Sequence, residues 1–104
     1  MTALLVLSTF PDAEVARTIA RTLVEERLAA CANLLPGAES LYWWKGVIES
    51  SSEVLAIFKT TEEGYPRLEV RLKELHPYEL PEIVAVRPAG GLPAYLEWIA
   101  ANVG

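Results

Sequence analysis

Cysteine occurs once in this chain, at position 31, and histidine once, at position 76. A lone cysteine excludes an internal disulfide framework and a multi-cysteine zinc site. No run of 18 apolar residues occurs, so no membrane-spanning helix is expected. Catalytic signatures are missing too: there is no GxGxxG, P-loop, Ser/His/Asp set, HExxH or zinc spacing. These absences favour a binding protein over an enzyme. Charged residues make up only 22 % of the 104 residues and hydrophobic ones 52 %, which is apolar for a small domain with so much surface; self-association would hide the excess. The formal charge of −5 and the pI of about 4.8 argue against nucleic-acid or anionic-membrane partners. The first residues carry no basic segment and turn polar at Ser8-Thr9. They read as a strand and not as a signal peptide, which makes the cytoplasm the expected compartment.

What is present is organised around the stretch from Cys31 to Thr60. It reads as two long strands folded on Lys45-Gly46, where glycine supplies the positive φ of a tight hairpin. That turn sets Tyr42 opposite Glu49 and Trp44 opposite Val47. The register should slip at Pro36-Gly37, because proline donates no ladder hydrogen bond and glycine permits a bulge. Each strand is then about twice the usual ~5–6 residues. A hairpin that long overruns its own sheet, and its outer half needs another surface, most simply another copy of the chain.

The flanking segments supply the rest of one domain spanning residues 1–104. Ala3–Leu7 is a continuous apolar run, as a central strand requires, and Val54–Phe58 is a second. Val15, Ala16, Ile19, Ala20, Leu23, Val24 and Leu28 recur at helical spacing, predicting an amphipathic helix over roughly 12–28, capped by Asp12. Tyr65, Leu68, Leu72 and Leu75 mark a second helix that must stop before Pro77. Glu82–Arg87 reads as an edge strand between two prolines. Leu92, Leu96, Ile99 and Val103 line a short extra C-terminal helix. The order β-α-β-β-α-β gives an α+β, ferredoxin-like antiparallel sheet of order 4-1-3-2 with two helices on one face. The two apolar runs fall on its inner strands.

Several residues could carry chemistry. His76-Pro77-Tyr78-Glu79-Leu80-Pro81-Glu82 is the densest polar cluster, held in a proline-stiffened loop. His76 can cap the last carbonyls of its helix, or serve as a metal ligand or proton-transfer group. Cys31 reads as a small buried hydrophobe or as a reactive thiol. Tyr42-Trp43-Trp44 places aromatics on both strand faces, as an interface would. Lys59 at a strand end is either a solvated charge or an anion holder. Glu39, Glu49 and Glu53 read as a solvated face.

Taken together, Arg27-Leu28-Ala29-Ala30-Cys31-Ala32-Asn33, Ser40-Leu41-Tyr42-Trp43-Trp44-Lys45-Gly46, Lys59-Thr60-Thr61, the His76–Glu82 loop and Tyr95-Leu96-Glu97-Trp98 resemble the CutA-type divalent-cation tolerance proteins, in order and spacing. The resemblance covers nearly the whole chain. It implies a ferredoxin-like protomer in a tight homotrimer, with hairpins pairing between neighbours and small effectors bound in clefts between subunits, as in trimeric nitrogen-signalling regulators. It also implies a role in the response to copper and other divalent cations. The matched positions are Cys31, Tyr42, Trp44, Lys59, His76, Tyr78, Pro81 and Glu82, with His76 as the candidate metal ligand and no other cofactor indicated. The topology sets Lys59 and His76 at opposite poles of the protomer, so a cleft holding both combines subunits, three clefts per trimer. In one respect the chain departs: where some copper-binding members have cysteine and a second histidine, it has Ser8 and Leu75. A soft copper site wants thiolate and imidazole together. The alternatives are a small-molecule-sensing trimer or a structural scaffold without metal binding.

Overall fold

The structure, a computed structural model, describes residues 2–104. Its elements are β1 (Ala3–Phe10), α1 (Ala13–Glu25), β2 (Cys31–Trp44), β3 (Val47–Thr61), α2 (Tyr65–Leu75), β4 (Val84–Val86) and α3 (Pro93–Ala101). One antiparallel sheet runs β2-β3-β1-β4, the expected order read from the other edge. The two apolar runs occupy its inner strands.

The hairpin register follows from its turn. Lys45 has φ 49° and Gly46 φ 85°, the double left-handed pair that matches the twist of the flanking strands. Tyr42 pairs with Glu49 and Trp44 with Val47, as expected. The ladder slips between Leu35 and Ala38, where Gly37 sits at φ 86°. Two residues of β2 there oppose one of β3, which bends the strand. Val54–Thr61 pairs with β1, whereas Val47–Glu53 pairs with β2 alone. Seven residues of hairpin therefore project about 24 Å past the end of β1, and the molecule is drawn out to 44 × 26 × 22 Å.

Three boundaries in the sheet and the first helix differ from the sequence expectation. β1 runs on through Ser8 and Thr9 to Phe10, because Phe10 is fully buried and Ser8 pairs with Ala56 across the ladder. α1 stops at Glu25 and not at Leu28. The Arg27 amide donates to the Val24 carbonyl and the Leu28 amide to that of Leu23, while Arg27 stands at φ 61°. This is a Schellman end with arginine where glycine is usual, sealed by the buried Leu23 and Leu28. β4 pairs over Val84–Val86 only, although it is an edge strand as expected.

Leu4, Val6, Ser8 and Phe10 alternate toward α1 and α2, and the core forms there around Phe10, Ile19, Leu23, Phe58, Leu68 and Leu72. The other sheet face is left largely bare. Ladder partners share a face, so Leu5, Leu7, Leu55, Ile57, Val84 and Val86 lie together on it, half-buried or exposed. Only its end is sealed, where Ile99 of α3 packs on Ala3 and Ala30. Leu96 and Val103 support that contact, but Leu92 is exposed at the helix cap and lines nothing.

Candidate functional site

The root of the hairpin gathers the first group of candidate residues. α2 ends where Pro77 forbids another turn, and His76 caps it, its amide donating to the Leu72 carbonyl. The imidazole turns inward and is only 7 % exposed. It stacks on Phe10 with ring centroids 4.6 Å apart and planes 16° from parallel. Its Nδ1 accepts from the Tyr78 amide at 3.2 Å, so the proton resides on Nε2, which donates to the Thr9 carbonyl at 2.8 Å. Burial lowers the His76 pKa; the Thr9 carbonyl and the Glu53 charge oppose this more weakly. The ring is therefore a neutral, fully bonded strut between the loop and β1.

Tyr78 completes the join. Its hydroxyl donates to Glu53 Oε2 at 2.6 Å, and Glu53 is only 8 % exposed. Burial first, then the hydrogen bond and charge of Glu53, push the phenol well above its ordinary range; Tyr42 and Asp12 add to this. The Tyr42 hydroxyl bonds Ser51 on the facing strand at 2.8 Å. Glu53 thus leaves the solvated face expected of it: it is buried where the hairpin leaves the sheet, while Glu39 is exposed. The adjacent Ser8 hydroxyl, on the same strand as Thr9 and Phe10, is buried without a partner.

A second group lies at the opposite pole. Lys59 pairs with Leu5 and Cys31 in the ladder, four residues along β1 from Thr9, or about 13 Å. Its ammonium donates to Asn33 Oδ1 at 2.6 Å and stands 5.6 Å from the centre of the Tyr95 ring. The Tyr95 hydroxyl reaches Cys31 Sγ at 3.7 Å, and its ring stacks on Trp98. Cys31 is half-buried and free. The separation of Lys59 from His76 within the chain is as the topology required. Trp44 stands apart from both groups, exposed near the hairpin tip with Lys45 5.7 Å from its ring. Glu82 is exposed, two residues ahead of β4.

Within the chain these residues do not fit a divalent cation. A metal needs an imidazole lone pair, and that of Nδ1 already receives the Tyr78 amide. Among the described residues no three His, Cys, Asp or Glu side chains converge. Sequence reasoning missed Glu53, Asn33 and the Tyr95–Trp98 pair as parts of these two groups. The Tyr95-x-x-Trp98 spacing was the available signal for the pair, since i and i+3 share a helix face.

Comparison with known proteins bears on the whole chain. It is 52 % identical over 99 residues to the divalent-cation tolerance protein CutA of Thermus thermophilus, covering 95 % of this chain and 96 % of that one. It is 47 % identical over 91 residues to the CutA protein of mouse, covering 88 % of this chain but only 51 % of the longer mouse protein. The crystal structure of CutA from Xylella fastidiosa superposes with a TM-score of 0.96 at 45 % identity, over all of both chains. The profile of the CutA1 divalent ion tolerance proteins matches residues 4–102, and the chain belongs to that family.

Proposed function

We propose that this chain serves the cellular response to divalent cations, copper among them, as a homotrimeric binding protein whose metal or effector clefts lie between copies. The observation that carries the reading is the apolar open face of the sheet, with Val84 and Val86 exposed and Leu7, Leu55 and Ile57 half-buried beside an overlong hairpin. Trp43 is 71 % exposed on that hairpin, and Leu41 and Ile48 are nearly as open. Contiguous apolar surface of this kind marks an interaction site. A second copy offers the matching apolar face and the matching strand edges at no cost in charge complementarity. The trimer is the form that the family resemblance favours.

A cleft between copies also suits the division of the candidate residues. Lys59 at one pole and His76, Tyr78 and Glu82 at the other meet only if neighbouring protomers bring opposite poles together. Any cation would then take donors from more than one copy, since one copy alone supplies no cluster. The free Cys31 accords with a reducing compartment, and the cytoplasm is the proposed location.

Light scattering and isothermal titration of the purified protein test this together. The expected mass is three times 11.5 kDa, with saturable copper or zinc binding that weakens in the monomeric variant Ile57→Glu. A monomeric wild type at micromolar concentration would overturn the reading. A trimer silent toward metals would favour the effector-sensing or scaffold alternative.

A further inference from the structure

The pole around Lys59 has features that a cation site does not need. Its ammonium meets a neutral amide and an aromatic face, and among the described residues no carboxylate lies within ion-pair distance of it. What sets this ammonium apart is that it is held in place beside exposed aromatic rings. Asn33 fixes the ammonium in place and occupies one of its three donors, so two remain for a ligand. Beside it, Tyr95 and Trp98 stack with centroids 5.6 Å apart and planes 20° from parallel. They are 40 % and 44 % exposed, so the pair offers an open aromatic surface. The Tyr95 hydroxyl contact to Cys31 ties that surface to β2.

We propose that Lys59, Asn33, Tyr95 and Trp98 form a binding site for small planar monoanions of the aromatic-carboxylate class. The carboxylate takes the two free ammonium donors, and the ligand ring lies against the aromatic pair. One lysine without an arginine suits a single negative charge; polyphosphates would call for forked or multiple cations and would meet the acidic field of the protein. The inference deepens the proposal that Lys59 contacts a ligand, but every residue it uses belongs to one protomer.

Isothermal titration in EDTA with benzoate, acetate and benzamide as probes tests it. Benzoate should bind once per chain, with acetate (no ring) and benzamide (no charge) each weaker by about tenfold. Lys59→Gln should lose about 10- to 100-fold toward benzoate, and Lys59→Arg should restore most of it. Tyr95→Leu should bring benzoate down to the acetate level and leave acetate unchanged. Equal affinity for benzoate and acetate, undiminished binding in Lys59→Gln, or no benzoate binding in the millimolar range would each overturn the assignment. Lysine-dependent benzoate binding by a monomer would sink the inter-copy reading and leave this one standing. A metal-binding trimer that ignores benzoate would do the reverse.

Discussion

Tyr78→Phe removes one oxygen atom and tests how the hairpin is fixed to the domain. In the native chain the Tyr78 hydroxyl donates to a carboxylate that is 8 % exposed, at 2.6 Å. That length is typical of a charge-assisted O–H···O⁻ bond. Such bonds contribute about 1.5–3 kcal/mol, and the variant also leaves Glu53 buried without its donor. With an unfolding entropy of about 2.1 cal/mol/K per residue, a 2 kcal/mol loss lowers Tm by about 9 °C. The assay is a double-mutant cycle of Tyr78→Phe and Glu53→Gln, followed by urea unfolding at one fixed protomer concentration, because association shifts apparent stability. Glutamine keeps an acceptor but not the charge, so Glu53→Gln alone should cost less than Tyr78→Phe. The expected coupling is about 1–2 kcal/mol. Additive effects, with coupling under about 0.5 kcal/mol, would refute the reasoning: Glu53 would then be solvated and the hairpin root held by the Pro36–Gly37 bulge alone.

Four further outcomes follow from the geometry. The folded-state pKa of His76 lies below its ordinary 6.5, so the unfolded chain binds more protons just under that value. Stability should therefore fall as pH drops below about 6.5, and His76→Gln should flatten that fall in EDTA-treated protein followed by circular dichroism. Arg27→Gly should raise stability by about 0.5–1 kcal/mol in chemical denaturation, because arginine at φ 61° bears a left-handed strain that glycine does not. Lys45→Asn should stabilise the hairpin turn by a few tenths of a kcal/mol, whereas Gly46→Ala should cost about 1 kcal/mol. On the trimer proposed above, Ile57→Glu, on the open sheet face, should weaken association between copies at least about a hundredfold, or about 3 kcal/mol, by analytical ultracentrifugation, with the far-ultraviolet spectrum retained.

The fold was legible where a local rule and a global one point the same way. Gly46 fixes the turn, the turn fixes the ladder, and two unbroken apolar runs must lie on inner strands. The errors occur where a distant contact decides. Ser8 and Thr9 look like the end of a strand, yet Phe10 beyond them finds the core and carries the strand on. The helical spacing of Leu28 continues that of α1, although Leu28 reaches the core only after the chain has reversed at Arg27. Glu53 is the sharpest case. Glu49, Ser51 and Glu53 alternate with the exposed Ile48, Ser50 and Ser52, so period two does separate two faces. With polar residues on both, the pattern does not say which face is covered. The cover is Tyr78, 25 residues away, brought there because Pro77 ends α2 and His76 folds back onto Thr9. A sequence reading can assign the loop and the strand separately. Their meeting depends on the length of α2 matching the distance from the pole of Lys59 back to the hairpin root. An eleven-residue helix at 1.5 Å per residue spans about 16 Å, close to the ~13 Å that separates Leu5 from Thr9 along β1. Lengthening α2 by one residue should therefore rotate His76 off Phe10 and strip Glu53 of its donor. In that insertion variant, Tyr78→Phe should cost almost nothing, a loss of coupling that ties the candidate site to the helix beneath it.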